Sequence, residues 1–179
     1  KIISFYLIQN NIILISSNSA WNLLNFRINL IKNLLKRKYK IKILIPSNDR
    51  YSDLLKSIGC EVYTINFNSR KKSLLEAILL FFKYFYLFYK INPKYYLSFT
   101  IKPNLIGTLS SFFFNIKVIN NITGLGSVFI QNNLIIKLLV LICYKIIFLK
   151  SYVVFFQNKK DLNYFIKNNI INKKKAFLI

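Results

Sequence analysis

The chain has 179 residues, 54% of them apolar, and its 27 Lys and Arg outnumber 5 Asp and Glu to give a net charge of +22. This length suits one domain with a sizeable core, and 4 Gly and 3 Pro are too few for a fibrous or disordered chain. The charge indicates an anionic partner, namely acidic lipid, nucleic acid or a phosphorylated substrate. A+T-rich codons explain it equally well, because Lys, Ile, Asn, Phe and Tyr are all abundant.

Short β-rich runs alternate with longer helical runs along the chain. The predicted strands are residues 11–16, 40–46, 61–65, 95–99, 117–121 and 152–156, and the predicted helices are residues 20–38, 50–58, 72–91, 103–114, 134–150 and 159–168. Alternating strands and helices form βαβ units, and nearly continuous apolar strands are typical of parallel strands covered on both faces. The sequence therefore predicts an α/β fold, a Rossmann-like parallel sheet with helices on both faces.

The first stretch of the chain is apolar but does not match a signal peptide. Residues 1–16 are apolar with one Lys, and they lack the small-residue cleavage site of a signal peptide. No initiator Met is present, so we expect the natural start to lie further upstream.

Loops at the carboxyl ends of predicted strands are the candidate binding sites, because ligands of parallel sheets bind there. The first is SSNSAW, residues 16–21, whose Ser and Asn side chains suit either a helix cap or a phosphate. SFTIKPN at residues 98–104 follows the fourth strand, and NNITGLGS at residues 120–127 follows the fifth and holds two of the four glycines. The first of these loops has no glycine, so it is neither a dinucleotide fingerprint nor a Walker loop.

Arg27 lies in the middle of the apolar side of the first helix. At 100° per residue the core-facing residues around it are Leu23, Leu30, Ile31 and Leu34. A guanidinium in that position needs a partner. A salt bridge or a carbonyl contact within the fold is one interpretation, and a phosphate at the mouth of the sheet is the other.

Two hydrophobic segments are long enough to suggest contact with a membrane. Residues 134–156 contain only Lys137, Lys145 and Lys150 as charged residues and approach the length of a bilayer span. We interpret them as a buried helix followed by a strand, because Lys150 and Ser151 interrupt the run before a β-branched stretch. Residues 72–91 carry one narrow polar stripe, so this helix is either covered by other elements or lies in a membrane interface.

Cys60 and Cys143 are the two cysteines, and the chain has no His. That inventory excludes a zinc site and a Cys/His nucleophile. Buried free thiols of a cytosolic protein are expected rather than a disulfide.

Five segments in order resemble the N-terminal domain of bacterial family 4 glycosyltransferases. They are NSAWNLLNFRINLIKNL, LIPSNDRYSDLLKSIGCEVYTI, SFTIKPNLIG, INNITGLGSVF and VFFQNKKDLNYF, which together cover nearly the whole chain from about residue 11. The likeness is greatest to enzymes that elongate undecaprenyl-diphosphate-linked saccharides. The residues that match the family's motifs are Asn18, Ser19, Asn25, Arg27, Lys102, Pro103, Asn104, Thr123, Gly124, Leu125, Gly126, Asn158 and Asp161.

The resemblance implies the N-terminal half of a GT-B fold, with residues 1–179 as the acceptor-side domain. The enzyme would be a retaining, metal-independent hexosyl- or N-acetylhexosaminyltransferase that uses a UDP-sugar donor and no cofactor. Its partners would be a lipid-diphosphate-linked saccharide and the anionic inner face of the cytoplasmic membrane, with no nucleic acid. Lys102, from its charge, is the predicted contact for the acceptor diphosphate.

The chain also departs from the family's pattern. It has no glycine pair after the first strand, no His, and no E-x7-E pair of the kind that grips the donor in the second domain. We therefore expect the chain alone to be inactive. A basic membrane-binding module without catalysis and a decayed fragment are the remaining alternatives.

Overall fold

The computed structural model describes residues 11–67, 73–124 and 134–179, which build one seven-stranded parallel sheet. The strand order is β3-β2-β1-β4-β5-β6-β7, and every neighbouring pair is parallel. The strands are β1 Ile12–Ser16, β2 Lys40–Ile45, β3 Glu61–Thr64, β4 Tyr95–Phe99, β5 Lys117–Ile122, β6 Ser151–Phe156 and β7 Ala176–Leu178. The six predicted strands are confirmed. The sequence missed β7, a three-residue strand directly after three lysines, which offers little pattern to detect.

The helices follow the predicted order, and α1, α2, α3 and α5 each begin after a residue that caps them. They are α1 Ala20–Lys36, α2 Arg50–Ser57, α3 Leu74–Ile91, α4 Leu134–Lys150 and α5 Lys159–Lys167. Ser19, Asp49, Ser73 and Asn158 each accept a backbone N–H of the following first turn, which satisfies donors that a helix start leaves unpaired.

The predicted helix 103–114 is irregular. It consists of the π-helical turn Pro103–Gly107, the α-helical Thr108–Ser110 and the 3-10 turn Ser111–Phe113. We call residues 103–113 the irregular helix. A π turn is rare and often lies at a functional site.

Alternate strand residues point to opposite faces of the sheet, and both faces are covered. On one face, Ile13, Ile15, Ile43 and Leu97 pack with residues of α1 and α2 such as Leu23 and Leu55. On the other, Leu14, Tyr96 and Val118 pack with Tyr84 and Phe88 of α3. Near β6, α4 and α5 contribute Tyr144, Phe148 and Phe165 to a third cluster. This arrangement confirms the prediction of a doubly covered sheet.

The apolar segment 134–156 is a helix followed by a strand, as predicted: α4 ends at Lys150 and β6 begins at Ser151. Across the described ranges no helix combines the length and apolarity that crossing a membrane requires.

The two cysteines are free, and their surroundings differ. Cys60 is buried, and burial raises the pKa of its thiol to about 11. Cys143 is exposed on α4, so the expectation that both thiols are buried is wrong for this residue. The buried side of α4 carries Tyr144 and Ile147, and Cys143 lies on the solvent-facing side with Ile142 and Ile146.

Gly107 allows the irregular helix to approach β4 and α3 closely. An added Cβ would lie 2.0 Å from the Tyr96 Oη and 2.7 Å from its Cζ. Both Tyr96 and the neighbouring Tyr84 are fully buried. The Tyr96 hydroxyl donates to the Pro103 carbonyl oxygen at 3.0 Å, which fixes the ring where the Cβ would go.

We expect Gly107→Ala to destabilise the fold by about 1–3 kcal/mol or more, because overpacking a rigid core forces side chains and backbone to move. Urea denaturation measures the free energy of unfolding. Tyr96→Phe removes the atom nearest to the new methyl group, so Gly107→Ala should cost less in that background than in the wild type. Equal stability of Gly107→Ala and wild type would contradict the close approach.

Candidate functional site

The order of the strands creates a crevice between the carboxyl ends of β1 and β4. The segment after β1 leads to α1 on one face of the sheet, whereas the segment after β4 leads to the irregular helix on the other. The two connections diverge and leave a gap at this switch point, which is where open α/β sheets bind ligands. We call the gap the switch crevice.

The first wall of the switch crevice is the loop from β1 to α1. Ser19 accepts the Asn22 N–H at 3.2 Å and caps α1, while the Ser17 hydroxyl lies 3.4 Å from Asn18 Oδ1. Asn18 and Ser19 therefore lie in the loop that follows the carboxyl end of β1. Asn25 is exposed on α1, where its amide donates to the Trp21 carbonyl oxygen at 2.8 Å.

Arg27 extends from α1 toward the end of β4. Its Nη1 donates to the Phe26 carbonyl oxygen at 2.8 Å, and its Cζ lies 4.8 Å from the centroid of the Phe99 ring. Desolvation lowers the pKa of this guanidinium. The carbonyl contact within the fold is the partner found, and the salt bridges of the described residues do not include Arg27. Most of its five N–H donors remain for a ligand at the switch crevice.

Leu30 corrects one detail of the prediction for α1. It was expected to face the core, but 38% of it is exposed. Leu23 and Ile31 are buried, so the apolar side of α1 is centred away from Leu30.

Thr100 forms the second wall of the switch crevice, and the sequence analysis did not select it. Its φ is 71°, a left-handed conformation that is strained for a β-branched residue. Its Oγ1 is buried without a hydrogen-bond partner. A strained residue with an unsatisfied buried hydroxyl directly after β4 is a candidate for contact with a ligand. No sequence signal could reveal it, since Thr favours extended backbone.

Lys102 is held by an ion pair within the protein. Its Nζ lies 3.2 Å from Glu76 Oε1 of α3, and the two side chains are 17% and 19% exposed. The Lys102 Nζ also lies 5.8 Å from the Phe67 ring centroid. The pair fixes the lysine beside the switch crevice and offsets much of its charge, so a diphosphate at Lys102 would compete with Glu76.

Asn104 and Pro103 are buried parts of the irregular helix rather than crevice-lining residues. Asn104 is 1% exposed: its Oδ1 accepts from Ser98 Oγ at 2.6 Å, and its Nδ2 donates to the Asn121 carbonyl oxygen at 2.9 Å. Pro103 lies at the start of the π turn. Both residues therefore help to fix the position of residues 100–102, which connect β4 to the irregular helix.

Asn120 of β5 is the centre of this buried polar cluster. Its Nδ2 donates to Ser98 Oγ at 2.7 Å and to Thr108 Oγ1 at 2.8 Å, and its Oδ1 accepts from Ser151 Oγ. One side chain thus ties β4, β5, β6 and the irregular helix together under the site. The sequence suggested only that residue 120 opens a binding loop.

The loop after β5 begins at Thr123 and Gly124. Thr123 is exposed, and Gly124 has a φ of 145°, a conformation that other residues rarely adopt. Leu125 and Gly126, which the sequence also selects, lie outside the described residues.

Asn158 and Asp161 lie at the carboxyl end of β6, two strands from β4 and so about 10 Å across the sheet. Asn158 Oδ1 accepts the Asp161 N–H at 2.8 Å, and its Nδ2 donates to Asp161 Oδ2 at 2.7 Å. The two side chains cap α5 and satisfy each other, although they share the edge of the sheet with the switch crevice.

The site's polar groups suit a ligand that carries hydroxyl groups and negative charge. In the described ranges, no cluster of three His, Cys, Asp or Glu residues could hold a metal ion. The donors that face the switch crevice are hydroxyls, amides and the guanidinium of Arg27.

Comparison with known proteins agrees with this fold. A family model described as glycosyl transferase 4-like matches residues 12–158, and no curated protein matches the chain significantly. The fold is similar to that of a glycosyltransferase from Rickettsia africae, with a TM-score of 0.66 and 15% identity over 96% of this chain and 43% of that one. HepE of Anabaena, solved with UDP and glucose, gives a TM-score of 0.66 and 14% identity over 94% of this chain and 43% of that one.

A putative UDP-N-acetylglucosamine 2-epimerase from Listeria monocytogenes is similar to nearly the same degree. Its TM-score is 0.65 at 9% identity over 93% of this chain and 43% of that one. The chain thus spans less than half the length of these three proteins, and its sheet is the Rossmann-like half of a GT-B fold. Because the family model matches most of the chain, the chain belongs to the glycosyl transferase 4-like family.

We expect Asn104→Ala to lower the free energy of unfolding by about 1–3 kcal/mol, because a buried carbonyl group of Asn121 loses its donor and Ser98 loses its acceptor. Asn25→Ala is the matched control, since it removes an exposed amide with one local hydrogen bond and should change stability by less than about 0.5 kcal/mol. Thermal or urea denaturation compares the two. If Asn104 served only to contact a ligand, the two variants would be equally stable.

Proposed function

We propose that this member of the glycosyl transferase 4-like family is the acceptor-side domain of an enzyme that transfers a sugar from a UDP-sugar to a lipid-linked or surface-polysaccharide acceptor. The observation that carries the proposal is the switch crevice, which combines Arg27, the cap of α1 and the strained Thr100 at the ligand-binding edge of the sheet. Retention of configuration and the absence of a cofactor follow from the resemblance and belong to the same proposal.

The acceptor's diphosphate is assigned to the positively charged part of the switch crevice. Arg27 is held over the Phe99 ring, with its Cζ 4.8 Å from the ring centroid, so little freedom is lost when its remaining donors bind a phosphate oxygen. A planar guanidinium also fits a phosphate with two parallel hydrogen bonds. Lys102 contributes when the acceptor's charge replaces that of Glu76.

The UDP-sugar donor is assigned mainly to a second Rossmann-like domain. The solved structures similar to this chain are more than twice as long as the part it matches, and the chain contains no E-x7-E pair. We therefore propose that the transfer reaction requires the full-length protein and that residues 1–179 alone do not turn over the donor. The Asn18 amide and the Ser19 hydroxyl would contact the sugar from this domain, across the cleft that would separate it from the second domain.

The sugar transfer itself needs a leaving group that departs as UDP and an acceptor hydroxyl that is brought to the anomeric carbon. The contribution of this domain is positioning and electrostatics: it holds the acceptor's charged end so that the hydroxyl faces the donor. No side chain of the switch crevice is assigned as a proton acceptor. Among the described residues, the carboxylate nearest to the switch crevice is that of Glu76, whose Oε1 lies 3.2 Å from Lys102 Nζ.

A test uses the full-length protein with radiolabelled UDP-sugars and undecaprenyl-diphosphate-linked saccharides. Arg27→Gln and Lys102→Gln are each expected to reduce kcat/KM for the acceptor about tenfold to a hundredfold, the range for a lost hydrogen bond to a charged group. Lys32→Gln, an exposed lysine on the same helix as Arg27, is the control and should leave kcat/KM unchanged.

Three results would contradict the proposal. One is the absence of transfer from every UDP-sugar offered. The second is unchanged acceptor kinetics in both variants after correction for the folded fraction. The third is interconversion of the UDP-sugar without any acceptor, which would indicate an epimerase like the Listeria protein.

A further inference from the structure

The solvent-facing side of α3 is apolar along its whole length. Its exposed residues recur at helical spacing, so they form one stripe rather than scattered contacts. They are Leu74, Leu75, Ile78, Leu79, Phe82, Tyr86 and Tyr89, with exposed fractions from 47% to 77%. The opposite side of the same helix is in the core through Leu80, Tyr84 and Phe88.

α4 presents a second stripe of the same kind. Its exposed apolar residues are Leu134, Ile135, Leu138, Leu139, Ile142, Ile146 and Leu149, with exposed fractions from 43% to 77%. The irregular helix contacts both α3 and α4 and exposes Leu109, Phe112 and Phe113. Rings of α3 touch Phe113, with centroids 6.2 Å from Phe81 and 5.6 Å from Phe85. We call the combined surface of α3, the irregular helix and α4 the apolar face.

The apolar face is larger than the surface patches of ordinary monomers. Phe82, Tyr86, Tyr89 and Phe113 are 60% to 74% exposed. At about 150–250 Å² per aromatic side chain these four residues alone leave several hundred Å² open. The largest apolar patch of a typical monomer is about 300–600 Å² in total, and patches beyond that size mark an interaction site.

The charges around the apolar face are positive. Lys83 and Lys90 line one edge of the stripe on α3, and Lys145 lies within the stripe on α4; all three are exposed. Four of the five acidic residues lie outside the apolar face. Asp49 and Asp53 belong to the cap and first turn of α2, on the opposite side of the sheet. Glu61 begins the edge strand β3, and Asp161 is in α5. The fifth, Glu76, is paired with Lys102.

We propose that the apolar face is the membrane-docking surface of this protein and that it lies flat on an anionic lipid bilayer, with α3 and α4 in the interfacial region. Leucine, phenylalanine and tyrosine side chains would enter the boundary between headgroups and acyl chains, while the lysines reach the anionic headgroups. Tyr86 and Tyr89 suit the interface because their rings are apolar and their hydroxyls are polar. Amphipathic helices of this kind lie on a membrane rather than cross it.

A second copy of the chain fits this face less well than lipid does. In a twofold interface the same surface meets itself, so the lysines of one copy would approach those of the other. Like charges brought together at an interface oppose association, whereas an anionic headgroup layer complements them. The net charge of +22 acts in the same direction.

Docking on this face would place the switch crevice beside the bilayer. α3 starts near the carboxyl edge of the sheet, because Glu76 in its first turn forms an ion pair with Lys102, which directly precedes the irregular helix. The exposed residues Leu74 and Leu75 therefore lie next to the site. In this part the inference rests on the proposed function: a lipid-linked acceptor would reach the crevice without leaving the membrane. The docking itself does not depend on catalysis.

The test is flotation of the full-length protein with phosphatidylcholine vesicles, with and without phosphatidylglycerol, at low and high salt. We expect binding that requires phosphatidylglycerol and weakens with salt. Leu79→Ser/Phe82→Ser/Leu139→Ser should abolish flotation. The matched control Phe26→Ser/Leu30→Ser/Leu54→Ser alters apolar residues that are 38% to 57% exposed on α1 and α2, and it should float like the wild type.

The charge requirement is tested separately. The double variant Lys90→Gln/Lys145→Gln should lower the partition coefficient between vesicles and water about 30-fold. This is the value expected when each lysine contributes about 1 kcal/mol to binding at an anionic surface. Lys32→Gln/Lys36→Gln removes two exposed lysines of α1 and should have a much smaller effect. Circular dichroism of every variant verifies that the fold is retained.

The outcomes separate this inference from the proposed function. Flotation that the apolar-face variant abolishes supports docking, whether or not transferase activity is found. Transferase activity in a protein that does not float, or equal loss of flotation in both triple variants, would overturn the docking surface. So would a dimer in light scattering that dissociates only in the apolar-face variant, because the face would then join two copies of the chain.

Discussion

The amide of Asn120 is the interaction on which the candidate site depends most directly. It is fully buried and donates to Ser98 of β4 and Thr108 of the irregular helix at 2.7 and 2.8 Å, while it accepts from Ser151 of β6. A buried amide is costly unless its hydrogen bonds are made. The strands and the irregular helix are therefore held in the relative positions that satisfy these hydrogen bonds, and residues 100–102 connect elements that are fixed in this way. Thr100 lies between β4 and the irregular helix, and Asn120 holds both of these elements in place. Their fixed positions stabilise the strained backbone of Thr100.

The switch crevice joins two different kinds of basic group. Arg27 is half-buried, lies against Phe99 and lacks an acidic partner among the described salt bridges, whereas Lys102 is neutralised by Glu76 at 3.2 Å. Under the proposed function, Arg27 would be positioned for an anion before the ligand binds. Lys102 would have to exchange the Glu76 carboxylate for the ligand's anion, so its contribution would depend on the ligand's charge. The combination of Arg27, which is already in position, and Lys102, which must exchange its partner, suits a ligand whose charged group is bound and later released.

The two faces of the sheet differ in the polarity of their outer surfaces. α1 and α2 cover one face and carry both basic and acidic side chains, including the salt bridge between Lys56 and Asp53 at 2.9 Å. The other face has α3, the irregular helix and α4, whose outer sides are apolar with a lysine rim. A helix in water normally turns its polar side outward. α3 and α4 are apolar on their outer sides as well as on their buried sides, which is the observation behind the proposed docking on a bilayer.

The sequence by itself determined the α/β class, the order of six strands and five helices, and the resemblance of the loops after β1, β4, β5 and β6 to one family. These features are encoded locally, in runs of apolar residues, in caps such as Ser19 and Asn158, and in short motifs. Only the tertiary structure decided which loop residues share a site. It buried Asn104 at 1% exposure, paired Lys102 with a glutamate 26 positions away in the chain, exposed Leu30 and revealed Thr100. The physical reason is that burial, ion pairing and backbone strain depend on neighbours brought together by the sheet, and no local pattern of residues records them.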